Sequence, residues 1–240
     1  MKIFKTYFFL LFVTLMACTT AQINQTLGTI NDALGDDALT SEQVASGLKE
    51  ALINGISKGS GQASKLDGYF KNPQIKLPFP PEIQKVEDKL RQIGLGNEVD
   101  KFVMTLNRGA EEAAKGAKPI FVNAIKAMTI QDAWGILKGD QDAATQYLMR
   151  TTSAQLKASF QPVIKSALDK TNATKYYGDI VTTYNKIPFV EKVNEDLEGY
   201  ATDKAIEGLF TLIAKEEMNI MKDPLARTTE LLKKVFAQQD

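Results

Sequence analysis

Histidine is absent from the 240-residue chain, and cysteine occurs once, at position 18. Without histidine there is no Ser-His-Asp or Cys-His catalysis, no zinc site of the usual histidine type and no histidine-based pH sensing. A lone cysteine forms no intrachain disulfide, so the fold must rely on its apolar core. Net charge is lacking too: 29 basic residues face 29 acidic ones. That balance gives no electrostatic reason to expect nucleic acid or an anionic surface as partner. No strand pair with hairpin chemistry and no fixed-period repeat is present. Gly55–Gly61 contains glycine and lysine but follows a helical stripe rather than a strand, so it reads as a frayed helix end, not a phosphate loop.

The first eighteen residues carry the clearest positive signal. Lys2 and Lys5 precede an apolar run from Tyr7 to Met16, and small Ala17 stands directly before Cys18. Basic, apolar and small residues in that order make a secretory signal, too short to span a bilayer comfortably. The Leu15-Met16-Ala17-Cys18 ending resembles the lipobox of bacterial lipoproteins, which implies removal of residues 1–17 and acylation of Cys18. Loss of that leader takes two lysines, leaving 223 residues with 27 basic and 29 acidic, a net charge of −2. Acylation also consumes the only thiol, leaving no thiolate ligand or nucleophile. Residues 18–39 read as a lipid-anchored tether with one short helix at Ile23–Leu34, and residues 40–240 as a single domain.

Helical periodicity runs through that domain. Thr40 and Gln43 fit a capping box before Val44, Leu48, Leu52 and Ile56, a stripe expected to stop at Gly59 and Gly61. Four of the eight prolines fall between Asn72 and Pro81, so this stretch is extended. Its alternating Ile75, Leu77 and Phe79 suit a packed connector, or a polyproline ligand for a partner. Pro80 and Pro81 then open a helix bearing Ile83, Val86, Leu90 and Ile93. Asn97–Ala117 follows, with Gly109, Ala110, Ala113 and Ala114 allowing close helix approach, and Pro119 is expected to kink or restart the chain. Thr129 and Asp140 are expected to cap Ile130–Lys138 and Gln141–Arg150. Ser153–Lys170 is expected as a separate helix weakened at Pro162. An amphipathic turn from Tyr176 to Tyr184 precedes a long helix from Asp196 to Lys222. Asp223-Pro224 starts a last helix, with Arg227 one turn after its cap. The fold class is all-α, a bundle-like multi-helix domain with one extended proline-rich connector.

Several stretches together resemble one family: Gly47–Leu52, Gly68-Tyr69 with Asn72 and Ile75–Pro78, Asn107–Glu111, Asp132–Leu137, Ala143–Thr145, Gly208–Phe210, Glu216-Glu217 and Asp223–Arg227. The set is similar to the bacterial domain-of-unknown-function family 4197, over about Leu39 to Phe236. The resemblance implies a helical envelope domain, often behind a signal or lipoprotein leader. It carries no assigned activity, cofactor or site residues.

The residues themselves offer one candidate cluster. Glu111 lies one helical turn after Asn107, and Glu112 one turn after Arg108; the latter pair is an ordinary surface ion pair of about 0.3–0.5 kcal/mol. Leu209, Leu212, Ile213 and Ile220 suggest that Glu216 borders the apolar face while Glu217 is exposed. Asn107, Arg108, Glu111 and Glu216 are therefore read as a polar cluster between two long helices. Its carboxylates could serve as acid and base or hold a hard cation, and the plainer reading is a network that fixes helix register. Trp134, Phe102, Met104, Phe121 and Met128 are assigned to the core.

The expectation is a non-enzymatic, lipid-anchored envelope protein that binds or scaffolds, with no cofactor and no metal. Thr19 after the cysteine favours the periplasmic face of the outer membrane. The membrane is reached through the lipid; an envelope protein or a lipid ligand is a possible partner. The alternatives are a periplasmic carrier of an apolar, lipid-like ligand held between helices and, third, a carboxylate-based hydrolase. The hydrolase requires Glu111 and Glu216 to converge in an open cleft.

Overall fold

A computed structural model describes residues 40–222. Cys18, the tether with its Ile23–Leu34 segment, and the helix from Asp223 with Arg227 lie outside the described residues. Among those described, every regular element is helical: α1 (Ser41–Ala63), a 3₁₀ turn (Pro81–Ile83), α2 (Gln84–Gln92), α3 (Gly96–Ala114), α4 (Ala117–Ala127), α5 (Ile130–Leu137), α6 (Ala143–Lys170), α7 (Ala173–Tyr184) and α8 (Leu197–Lys222). None of them is long and apolar enough to cross a membrane.

The centre of the domain is α6, which packs against α3, α4 and α8. Leu148, Thr152, Leu156, Phe160, Ile164 and Leu168 follow one another every four residues, each no more than 1 % exposed. Such a row is the i±4n ridge by which one helix seats in another's groove. Each large apolar side chain buried there contributes about 1.5–3 kcal/mol. The expected break at Ser153 does not occur, because this ridge continues through it in register. Pro162 is accommodated without ending the helix. It sits on the exposed face, as does Ala158, whose carbonyl a proline four residues on cannot pair.

The small residues of α3 and of the turn after it meet α6, with the two helices antiparallel: Gly109 lies against Ile164 and Ala167, and Gly116, just past the end of α3, against Ser159. Pro119 stands in the first turn of α4, where its missing amide has no intrahelical partner to lose. α5 opens on the expected cap. The Asp132 amide donates to Thr129 Oγ1 (3.0 Å) and the Thr129 amide to Asp132 Oδ2 (2.9 Å). These bonds from Thr129 hold the Asp132 carboxyl below its ordinary value. Asp196 caps α8, accepting from the Gly199 amide (2.7 Å).

Two boundaries differ from expectation for tertiary reasons. α1 runs past Gly59 and Gly61 to Ala63, because its glycine edge is pressed onto α8. A Cβ on Gly55 would lie 3.2 Å from Ile220 Cδ1, and one on Gly59 would lie 3.4 Å from the Leu212 carbonyl. The segment read as a frayed end is a helix contact. Asp140 makes no cap; α6 begins at Ala143, and its first amides are capped from another helix, as described below. The proline-rich connector is packed but only partly extended: the Ile75 and Lys76 amides donate to the Asn72 carbonyl (3.1 and 2.8 Å) and close a turn before the Lys76–Pro80 stretch, and Ile75, Leu77 and Phe79 are buried while Lys76 and Pro78 between them are exposed.

Candidate functional site

Three of the four residues read as a polar cluster share one locality on α3. Glu111, 4 % exposed, accepts from the backbone amides of Tyr69 and Phe70 (both 3.1 Å) and from Arg108 Nη1 (2.6 Å). Arg108 also donates to Asp67 Oδ1 (2.7 Å) and lies over the Phe70 ring. Asp67 is further paired with Lys71 (2.9 Å), and the hydrogen bonds of Lys71 and Arg108 hold its carboxyl below its ordinary range. Asn107, fully buried, accepts from the Leu77 amide (2.9 Å) and donates to the carbonyls of Leu77 (2.8 Å) and Val103 (2.7 Å). The partners of Asn107 and Glu111 are mostly main-chain groups of the 67–77 loop. α3 therefore supplies the polar groups that this irregular backbone lacks when buried.

The same loop is fastened from α8. Tyr69 is completely buried, and its hydroxyl donates to the Ala205 carbonyl (2.6 Å). Burial pushes its phenol far above the ordinary value. Gly208 makes room for this contact, since a Cβ there would stand 2.9 Å from Tyr69 Cε1 and 3.0 Å from Ile75 Cβ.

Glu216 does not join this group. It is half-buried against Gly55 of α1, eleven residues or about 16 Å along α8 from Ala205. The buried member of the acidic pair is Glu217, which the sequence reading placed outside. Its Oε1 accepts from the Ala144 amide (2.9 Å), and its Oε2 accepts from the Thr145 amide (3.0 Å) and hydroxyl (2.6 Å). A carboxylate from α8 thus occupies the positive N-terminal end of α6. Burial raises the Glu217 pKa, and the hydrogen bonds from Thr145 and Ala144 partly offset this. Its register did not single it out: Glu217 is i+4 from Ile213 and i−3 from Ile220, but Glu216 is i+4 from Leu212 and i−4 from Ile220, so both border the apolar stripe.

An apolar groove of about 640 Å³ opens between the first half of α3 and α7. Phe79, Val99, Ala173 and Tyr177 are its buried walls. Three rings continue one another: Phe79 and Phe102 at 5.1 Å between centroids, Phe102 and Tyr177 at 6.4 Å and nearly parallel. Leu95, Met104 and Tyr176 stand exposed on the rim, beside Glu98, Lys101, Thr105 and Thr171. The Tyr177 hydroxyl donates to the Asn194 carbonyl (3.0 Å), and burial pushes its pKa up to about 12. The backbone turns between α6 and α7 at Asn172, in the left-handed region (φ 55°). Phe102 and Met104 are therefore groove residues rather than core, whereas Phe121 and Met128 are buried as expected. Trp134 is half-buried, with Lys138 over its ring.

A family described as "protein of unknown function (DUF4197)" has a model that matches residues 38–237. The chain belongs to the DUF4197 family. No curated protein and no solved structure matches it significantly. Both structural features of the DUF4197 domain, the α3 network and the apolar groove, fall inside the matched span. The network offers no open coordination for a substrate: the oxygens of Glu111 are engaged, and Glu216 does not face it. The groove is apolar and opens to solvent.

Proposed function

We propose that this protein is a bacterial envelope lipoprotein, held by acyl groups on Cys18 at the periplasmic face of the outer membrane, that works by binding rather than catalysis. Its helical domain takes an apolar, chain-bearing ligand into the groove between α3 and α7. The observation that carries this reading is the groove itself. Its volume of about 640 Å³ is that of a small-molecule site, and aromatic and aliphatic walls with a few polar rim groups suit an acyl chain. Each methylene taken from water gains about 0.8 kcal/mol. The polar rim at Glu98, Lys101, Thr105 and Thr171 leaves a head group in solvent.

Native mass spectrometry of the full chain extracted from membranes tests the ligand, with palmitate titration as the quantitative arm. The wild type is expected to carry a lipid adduct. Thr105→Trp, which fills the groove from a partly exposed position on α3, is expected to weaken palmitate binding at least tenfold with an unchanged melting temperature. Absence of binding by the wild type, or equal binding by the variant, overturns the assignment. The anchor is tested separately. Cys18→Ser is expected to abolish the acyl mass increment and release the protein from the outer-membrane fraction. Unchanged fractionation with no mass gain on the native chain would contradict it.

A further inference from the structure

The segment after α7 presents a second apolar feature, independent of the groove. Asn185 closes a loop on Val193: its Oδ1 accepts from the Val193 amide (2.9 Å) and its Nδ2 donates to the Val193 carbonyl (2.9 Å). The Lys192 ammonium donates to the Asn185 carbonyl, adding a third tie across the same stem. Val193 is buried, and Asn194 is bonded to Tyr177 of the groove wall. The base of this loop is thus fixed to the domain, while its tip is Ile187-Pro188-Phe189. Phe189 is fully exposed, at 107 % of its reference area, and Ile187 is 48 % exposed.

The backbone at the tip is as unusual as the exposure. Phe189 has φ 64°, a left-handed conformation that bulky residues rarely adopt and that persists where the surroundings impose it. A pinned stem, a proline and a left-handed aromatic together hold an apolar ring outward instead of letting it fold back onto the domain. Lys186 and Lys192 flank the tip, with Glu191 beside them, and Lys186 makes no ion pair among the described residues. An apolar tip bordered by lysines matches the order of a bilayer surface, with acyl region inside and phosphates outside.

We propose that the Ile187–Phe189 tip is a membrane-contact element that inserts its ring into the interfacial region of a phospholipid bilayer, with Lys186 and Lys192 at the phosphate level. The Tyr177–Asn194 bond makes the loop stem continuous with the groove wall, so this contact sets that wall beside the bilayer. It does not depend on what the groove holds.

The test places a single tryptophan at the tip. In a Trp134→Phe background, Phe189→Trp and, as a control at another exposed apolar position, Leu66→Trp (Leu66 is 76 % exposed) are made in the full-length chain. Each is reconstituted in phosphatidylethanolamine–phosphatidylglycerol vesicles carrying lipids spin-labelled near the head group. The tip tryptophan is expected to shift to the blue and to be quenched at least twofold more than the control. Solvent-like emission accessible to iodide at position 189 overturns the proposal, and so does equal quenching at both positions. Because two sites are compared in the same reconstituted chain, the outcome does not depend on how the chain is tethered or on groove occupancy.

Discussion

Glu111→Ala is expected to lower the unfolding free energy by about 3–5 kcal/mol, the loss typical of breaking a buried ion pair from one side. The variant strips the Tyr69 and Phe70 amides of their acceptor and leaves Arg108 with Asp67 alone. Each buried donor left unpaired costs about 1–3 kcal/mol. Arg108 contributes less, since its side chain is one-third exposed and water can replace part of what it loses. The destabilisation should be local before it is global. Amide exchange at Tyr69 and Phe70 is expected to accelerate more than exchange along α6, because the 67–77 loop loses its fastening while the α6 ridge keeps its packing. Urea unfolding measures the magnitude, and a loss below 1 kcal/mol would remove the network from any account of stability. Glu111→Gln keeps an acceptor and the shape, and should recover part of the loss.

Glu217→Ala is expected to cost about 3 kcal/mol, by removing the acceptor for the first amides of α6 and for the Thr145 hydroxyl. The wild type also has a pH signature against Glu217→Gln. The folded-state pKa of Glu217 lies above the ordinary carboxyl value of 4.5, with burial as the main cause. The folded state therefore holds the proton more tightly than the unfolded chain. The resulting stability is fully present below pH 4.5 and lost as pH rises through the folded-state pKa. Unfolding free energies at pH 5 and pH 8 should show wild type gaining on Glu217→Gln at the lower pH. A gap that narrows toward pH 5 would mean that the helix end holds the anion more strongly than burial opposes it.

Both carboxylates expose the limit of reading this chain locally. Period and capping rules place α3, α5 and α8 correctly, because they involve residues within about four positions of each other. The inward alternation of Ile75, Leu77 and Phe79 is legible for the same reason. The choice between Glu216 and Glu217 was not, since adjacent residues on a helix point about 100° apart and either suits the stripe. What decides is the N-terminus of α6, whose Ala144 is 73 residues away. Asp140 was the local candidate for a cap that a distant glutamate supplies. Gly59 and Gly61 read as a helix end because glycine is a poor helix former, yet packing of Gly55 and Gly59 against α8 overrides that preference. Phe102 and Met104 were placed in the core by type and helical spacing, whereas among the described residues they line the groove.

By itself the sequence determined that the protein is helical, that Ile75, Leu77 and Phe79 alternate inward, that no histidine serves chemistry, and that the chain resembles DUF4197. These follow from composition and short-range periodicity. Tertiary structure decided which acidic residues are buried, what Asn107, Arg108 and Glu111 hold, and where an apolar groove opens. Those outcomes depend on groups brought together across 23 to 75 residues of chain, a separation at which side-chain spacing carries no information about contact.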